Sequence, residues 1–266
     1  MFDILQNAAR AAAKIQLRYF RTTELDISHK TDHQNIVTKA DKESQNVMEQ
    51  CIVREMKKSK GINEEDIGFI GEEDLNTEGK HHFVIDPIDG TSNFASGIDY
   101  FCSSLAYFYK GELQAGLIYR PAHDEMYFAE KGRGAMVIIG GKNVSLNMKR
   151  LDTKNLMMST NFGETMRNAD QLPLIEKLMP SYRGVRAFGA VALDLAKVAG
   201  NEIGTSVDKG PFIWDISAGK IIIEEAGGVV FDWKGKEIEL DLSDRKKRYS
   251  LIACHPEIKP IILSLL

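Results

Sequence analysis

The stretch His82-Phe83-Val84-Ile85-Asp86-Pro87-Ile88-Asp89-Gly90-Thr91 constrains this chain more than any other. Its apolar half reads as a short buried strand. Two carboxylates three residues apart then stand at the strand end, beside a Gly turn, where they can converge on one point. The backbone carbonyl of Ile88, between them, adds another oxygen. A hard divalent cation such as Mg²⁺ takes that kind of oxygen-rich point. Taken alone, Asp86 to Thr91 fits an ordinary turn better, with Asp89 bonding its own backbone. An EF-hand loop is excluded, because the twelfth residue from Asp86 is Gly97 where a Glu is required. No G-x-x-x-x-G-K-[ST] loop occurs, which excludes P-loop nucleotide hydrolysis.

Other acids stand at matching places. Ile67-Gly68-Phe69-Ile70-Gly71-Glu72-Glu73-Asp74 is again an apolar run ending in Gly and acids. Trp214-Asp215-Ile216-Ser217-Ala218-Gly219 leads into Glu225-Ala226-Gly227-Gly228, and Val37-Thr38-Lys39-Ala40-Asp41 lies upstream. Each has a purely structural reading. Glu72-Glu73-Asp74 reads as a solvated charge run. Asp215 reads as the N-cap of an apolar helix that stops at Gly227-Gly228. Thr38 and Asp41 read as a capping box opening a helix that carries Met48, Cys51, Ile52 and Met56.

Together these segments resemble the inositol monophosphatase family of Mg²⁺-dependent, lithium-sensitive phosphatases. The resemblance rests on Gly71-Glu72-Glu73, on Asp86 to Phe94, and on Trp214 to Gly219 with Glu225 to Gly228; Val37 to Asp41 and Lys131-Gly132-Arg133-Gly134-Ala135 support it. It implies an α+β fold, the layered αβαβα sandwich of the inositol monophosphatase and fructose-1,6-bisphosphatase type. Residues 1–150 would form an α+β half carrying most metal ligands. Residues 151–266 would form an α/β half supplying Asp215 and substrate contacts.

The resemblance also implies the chemistry. Glu72, Asp86 and the Ile88 carbonyl match the ligands of a first Mg²⁺; Asp86, Asp89 and Asp215 match those of a second, with Asp86 bridging. A third, weaker Mg²⁺ would share Glu72 and be held largely by water. The charges of four carboxylates and a phosphate dianion would balance three such ions. Metals at such a site activate a water, neutralise the phosphoryl oxygens and stabilise the leaving alkoxide. Thr91 paired with Asp41 is the family's water-activating couple; Glu73 is the other candidate base, and the residues leave both open. Gly90 and Thr91 open a short helical segment whose N–H groups, with those of Asp89, would meet the phosphate. A second helix N-terminus near Gly189-Ala190 would point at the substrate too.

Asp89-Gly90-Thr91-Ser92-Asn93-Phe94 looks like inositol monophosphatases and the related archaeal-type fructose-1,6-bisphosphatases, which favours a polyol or sugar phosphate. Branches acting on 3′(2′),5′-bisphosphate nucleotides usually differ at those last positions. Seven residues before the metal-binding Asp, the family's inositol phosphatases carry a Glu for inositol hydroxyls; here that residue is Asp208, one methylene shorter. Inositol monophosphate is the default substrate. A regulatory binding protein on the same fold is the other class of function. Intact acids at every carried-over position argue for the enzyme.

At 266 residues the chain can bury a core without disulfides or structural metal. With 34 basic against 38 acidic residues the net charge is −4, which argues against a nucleic-acid surface. Arg245-Lys246-Lys247-Arg248 reads as a solvated loop. Cys51, Cys102 and Cys254 are scattered and without metal spacing, as reduced core residues of a cytoplasmic protein would be. His81-His82 reads as a pair opening a strand. No apolar run reaches membrane-spanning length. The N-terminus reads as an amphipathic helix with Leu5, Ala8, Ala12, Ile15 and Tyr19 on one face, not as a signal peptide. The family resemblance also implies a homodimer.

Periodicity predicts helices near 2–21 and 41–59, then strands near 67–71 and 82–88. A hairpin follows around Lys110-Gly111, and further turns at Lys131 to Gly134 and at Gly140-Gly141. From about 150 strands near 155–160, 203–208, 228–232 and 249–254 alternate with helices near 169–179, 190–200 and 215–226.

Overall fold

Two helices open the chain, α1 (Phe2–Tyr19) and α2 (Lys39–Lys60), joined through a ribbon of β1 (Ser28–His29) antiparallel to β2 (Ile36–Val37). The computed structural model describes residues 1–22, 28–29, 36–148, 152–162 and 171–266. α1 buries Leu5, Ala8, Ala12 and Tyr19 of the stripe expected from the sequence, and Ile15 is half-buried. α2 starts at the expected capping box and ends at Gly61, whose φ of 66° is cheap only for Gly.

Eight strands form the larger sheet: β3 (Ile67–Gly71), β4 (Asn76–Thr77), β5 (His81–Asp89), β6 (Cys102–Tyr109), β7 (Glu112–Arg120), β8 (Glu125–Glu130), β9 (Ala135–Ile139) and β10 (Lys142–Leu146). Their spatial order is β10-β9-β8-β7-β6-β5-β3-β4. All neighbours are antiparallel except β3 and β5. The short helix α3 (Thr91–Ala95) follows β5.

The remaining chain alternates, giving β11 (Met157–Ser159), α4 (Gln171–Leu178), β12 (Gly184–Arg186), α5 (Val191–Ala199), β13 (Thr205–Lys209), α6 (Ile213–Glu225), β14 (Val229–Phe231), β15 (Ser250–Cys254) and α7 (Lys259–Leu263). Its five strands run in the order β12-β11-β13-β15-β14. The helix expected near 169–179 is seen from Gln171; residues 169 and 170 lie outside the described residues. The three-residue β12 and two-residue β4 are too short for a period to announce them.

Strand alternation sets the layers. On β5, Phe83 and Ile85 join Leu5, Ala8, Met48 and Ile52 of α1 and α2, while Val84 joins Leu193, Leu195, Ile222 and Ile223 of α5 and α6. On β15, Leu251 and Ala253 face that second core, and Ile252 and Cys254 face Leu174, Leu178 and Ile262 of α4 and α7. The result is five layers, the αβαβα sandwich the resemblance implies.

Two glycines let α6 seat between the sheets. A Cβ on Gly219 would come within 2.6 Å of Leu195, and one on Gly116 within 2.8 Å of the Ala218 backbone. Gly116→Ala is therefore expected to cost roughly 1–3 kcal/mol as overpacking. Urea unfolding would register it as a lower midpoint; an unchanged midpoint would contradict this close approach. At the other end of α6, the Glu225 carboxylate accepts from Gly132 N–H and Gly134 N–H, both at 2.8 Å. Two separate pieces of the sequence pattern thus meet as one contact.

Candidate active site

Asp86 and Asp89 converge because β5 is irregular between them. Residues three apart in a regular strand point to opposite faces. The pairing of β5 with β6 shifts register between Asp86 and Asp89, which removes that restriction. Pro87 sits in the irregularity, where its missing N–H breaks no ladder bond. Its carbonyl accepts from Gln16 Nε2 at 2.8 Å and from Ser103 Oγ at 2.9 Å. Ile88 N–H donates to Asp86 Oδ1 at 3.0 Å, which fixes that carboxylate.

Asp215 joins them from α6. It is the third helical residue rather than the expected N-cap; its carboxylate reaches back to accept the Phe212 N–H at 2.7 Å. One carboxylate oxygen from each of Asp86, Asp89 and Asp215 lies within 4.8 Å of the other two. Opposite ligands of an octahedral Mg²⁺ stand about 4 Å apart, so this spacing suits a single shared cation.

Glu72 and Glu73 follow β3, the parallel neighbour of β5. Gln45 grips the turn, accepting Glu73 N–H at 3.0 Å and donating to the Glu73 carbonyl at 2.9 Å. A Cβ on Gly71 would overlap that Gln45 amide, so a side chain there would displace Gln45 from the turn. The Glu72 charge acts on both Asp86 and Asp215.

The electrostatics ask for a cation. Asp86 is 1 % exposed and Asp89 7 %. Burial, then the neighbouring acid charges, hold both carboxyls well above the ordinary carboxylate range. Burial and Glu72 raise Asp215 to about 7. Buried like charges are costly unless a counter-charge is supplied. The donors are carboxylate and carbonyl oxygens, the set a hard cation prefers. Cys102 Sγ lies 3.6 Å from Asp89 Oδ2, but burial and the acids push its thiol up, so it stays protonated. The donor set therefore fits Mg²⁺.

Thr91 and Asp41 meet across the site. Asp41 Oδ2 accepts the Thr38 N–H at 2.8 Å and hydroxyl at 2.6 Å, while its Oδ1 faces the Thr91 hydroxyl at 3.2 Å. The carboxylate of the capping box is thus also the one that the Thr91 hydroxyl meets. Thr91 Oγ1 also lies 2.9 Å from the Ile88 carbonyl. Burial, helped by Glu72 and Glu73, raises Asp41 to about 7.

The N-terminus of α5 addresses Asp89. Val191, Ala192 and Leu193 donate their N–H groups to that carboxylate at 3.1, 2.8 and 3.3 Å. Gly189 N–H donates to Asn161 Oδ1 at 2.7 Å, and Ala190 is buried against Gly90. Asp208 is 1 % exposed, and its oxygens accept from Asn161 and Ser206. Gly189 and Asp208, expected to meet substrate, also take part in the framework behind Asp89. Gly90, at φ 90°, opens α3 beside them.

The inositol monophosphatase family model matches residues 1–265. The chain belongs to the inositol monophosphatase family. It is a phosphoric monoester hydrolase of that family. It is 35 % identical over 213 residues to the fructose-1,6-bisphosphatase/inositol-1-monophosphatase of Thermotoga maritima, covering 80 % of this chain and 77 % of that one. It is 32 % identical over 239 residues to Nus factor SuhB of Xylella fastidiosa, covering 88 % and 82 %. Extragenic suppressor protein suhB of Bartonella henselae superposes with a TM-score of 0.85 at 28 % identity, over 99 % and 97 % of the two chains. An IMPase/NADP phosphatase solved with Mg²⁺ and phosphate superposes with a TM-score of 0.74 at 25 % identity, over 91 % and 86 %.

Outside this family's site the other sequence features are structural. His81 Nδ1 pairs with Tyr107 Oη at 2.8 Å and His82 Nδ1 with the Gly79 carbonyl at 3.0 Å. All three cysteines are buried and free. Arg245 bridges to Asp74 at 3.0 Å, and Arg248 donates to the Gly210 carbonyl. Among the described residues no helix is long and apolar enough to cross a membrane.

Proposed function

We propose that this chain hydrolyses a small phosphate monoester, myo-inositol monophosphate before other esters, with Mg²⁺ as cofactor. The observation that carries this is the convergence of Asp86, Asp89 and Asp215, the first two buried, beside Thr91. Glu72, Asp86, the Ile88 carbonyl, Asp89 and Asp215 would hold two or three Mg²⁺. When bound, the metal supplies Lewis-acid stabilisation of the phosphoryl oxygens and leaving group and lowers the pKa of water.

The protein's own part is positioning and proton handling. Asp41 is fully buried, and its Oδ1 meets the Thr91 hydroxyl. A water at the mouth gives its proton to Thr91 Oγ1 as that hydroxyl donates to Asp41 Oδ1. The N–H groups of Gly90 and Thr91 orient the phosphate. Glu73, whose backbone Gln45 fixes, is the alternative base.

The double name of the Thermotoga relative supports fructose 1,6-bisphosphate as a second substrate. Phosphate release from inositol 1-phosphate, fructose 1,6-bisphosphate and an adenosine 3′,5′-bisphosphate, compared by kcat/KM, tests the assignment. Inositol phosphate is expected to lead by about tenfold or more, a difference of about 1.4 kcal/mol in transition-state binding. Millimolar Li⁺ is expected to inhibit. Faster release from either bisphosphate would overturn inositol phosphate as the substrate.

A further inference from the structure

Asn161, two residues past β11, is the hub of a polar network behind Asp89. Its Nδ2 donates to Asp194 Oδ2 at 2.9 Å and to Asp208 Oδ1 at 3.1 Å. Its Oδ1 accepts the Gly189 N–H at 2.7 Å. That N–H can only donate, which fixes the orientation of the amide. Asp208 holds Asn161 a second time, through the Asn161 N–H at 2.8 Å, and is itself steadied by Ser206 Oγ at 2.6 Å. Asp194 is steadied by Tyr100 Oη at 2.6 Å.

Asn93 works from the opposite side. Its Nδ2 donates to the Phe188 carbonyl at 2.7 Å and to the Tyr100 carbonyl at 2.7 Å. The Phe188 carbonyl and the Gly189 N–H belong to one peptide unit. Asn93 and Asn161 therefore grip that peptide at both ends. The turn has little slack: Gly189 has a φ of 83°, and a Cβ on it would come 3.1 Å from Asn93 Nδ2. The gripped peptide leads directly into the Val191, Ala192 and Leu193 N–H groups that hold Asp89.

We propose that Asn161, anchored by Asp208 and Asp194, is a positioning residue for Asp89: by clamping the Phe188–Gly189 peptide with Asn93, it sets where the first turn of α5 holds that carboxylate. Asp208 then serves the metal site through Asn161 instead of meeting a substrate hydroxyl. The inference rests on the reading of Asp89 as a Mg²⁺ ligand. Outer partners that orient a metal ligand change affinity by about 10- to 100-fold when removed.

Calorimetric titration of Mg²⁺ into the chelator-stripped full-length protein, without substrate, is the test. Asp208→Ala and Asn93→Ala are each expected to weaken Mg²⁺ binding about tenfold or more. Asp208→Asn is expected to restore affinity to within about twofold, because the Asn oxygen still accepts from Asn161 and the Ser206 hydroxyl can turn to accept its amide. In turnover assays the Mg²⁺ half-saturation of the Ala variants should rise with their Kd, while KM for the ester changes less than about threefold. Should Asp208→Ala fail to fold, Asn93→Ala decides, since it strands only neutral carbonyls. If the wild type binds Mg²⁺ and Asn93→Ala and Asp208→Ala bind it equally tightly, the positioning role is overturned. An Asp208→Ala variant with unchanged Mg²⁺ affinity and a raised KM would place Asp208 on the substrate. A wild type that binds no Mg²⁺ would remove Asp89 as a ligand and this inference with it.

Discussion

Asp86→Asn is expected to abolish turnover while making the metal-free protein more stable. Asp86 is buried among Glu72, Asp89 and Asp215, and burial and those charges disfavour its ionised form. Asn keeps the shape and the oxygen that accepts the Ile88 N–H. It removes the charge that Mg²⁺ held by this carboxylate would need. Losing several kcal/mol of charge stabilisation lowers the rate by about 10³-fold or more. Relief of the buried repulsion should raise stability at pH 8 without metal by the order of 1–2 kcal/mol.

The same acids set a pH dependence. In the unfolded chain their carboxyls titrate near about 4. In the folded, metal-free protein Asp208 titrates at about 6, and Asp41 and Asp215 at about 7. Between those limits the folded state holds more protons than the unfolded one, so these groups make stability fall as pH rises from about 4 to about 7. Bound Mg²⁺ opposes this loss. The rise in Tm on adding Mg²⁺ should therefore be larger at pH 8 than at pH 5.5, and Asp86→Asn should flatten the difference. Calorimetry of wild type and variant, with chelator and with Mg²⁺, reads both effects. A variant less stable than the chelated wild type at pH 8 would contradict the account of the buried charges.

Thr91→Ala and Asp41→Asn are expected to lower kcat by about 10²- to 10³-fold with the fold intact, the range for loss of a positioned proton acceptor. In Asp41→Asn one oxygen can still serve Thr38, but an NH₂ then faces Thr91 Oγ1. That turns the hydroxyl from donor to acceptor and blocks its uptake of a proton from water. Thr91→Ser should recover most of the rate. Glu73→Gln separates the two candidate bases. Near-wild-type turnover in Thr91→Ala together with a large loss in Glu73→Gln would hand the proton to Glu73.

The large elements are legible in the sequence because each repeats its period. The Leu5, Ala8, Ala12 and Tyr19 stripe, the Lys110-Gly111 hairpin and the α6 helix ending just before Gly227 all lie where the pattern puts them. The acids of the site are legible because carboxylates beside Gly turns recur at strand ends. The irregularity that brings Asp86 and Asp89 together is not, since strand alternation carries no record of a register shift; Pro87 inside a buried run is its one local sign. The side chains that hold the site in place are harder still. Gln16 and Gln45 sit on the buried stripes of α1 and α2, so a polar residue at an apolar position is a signal that can be read. Asn161 has no such signal, because Gly189, Asp194 and Asp208 reach it only through the fold. Asp215 illustrates a third case: its helix is correct but it stands third in it instead of at the N-cap, a shift that decides where its carboxylate points.

Asp86, Asp89 and Asp215 are expected to hold Mg²⁺ for phosphate-ester hydrolysis. Phosphate release from inositol 1-phosphate, followed as Mg²⁺ is titrated into chelator-stripped wild-type protein, tests it most directly. Release is expected to be negligible in chelator and to rise at least about 10³-fold at saturating Mg²⁺. Mg²⁺-independent release, or none from any phosphate monoester with Mg²⁺ saturating, would contradict it.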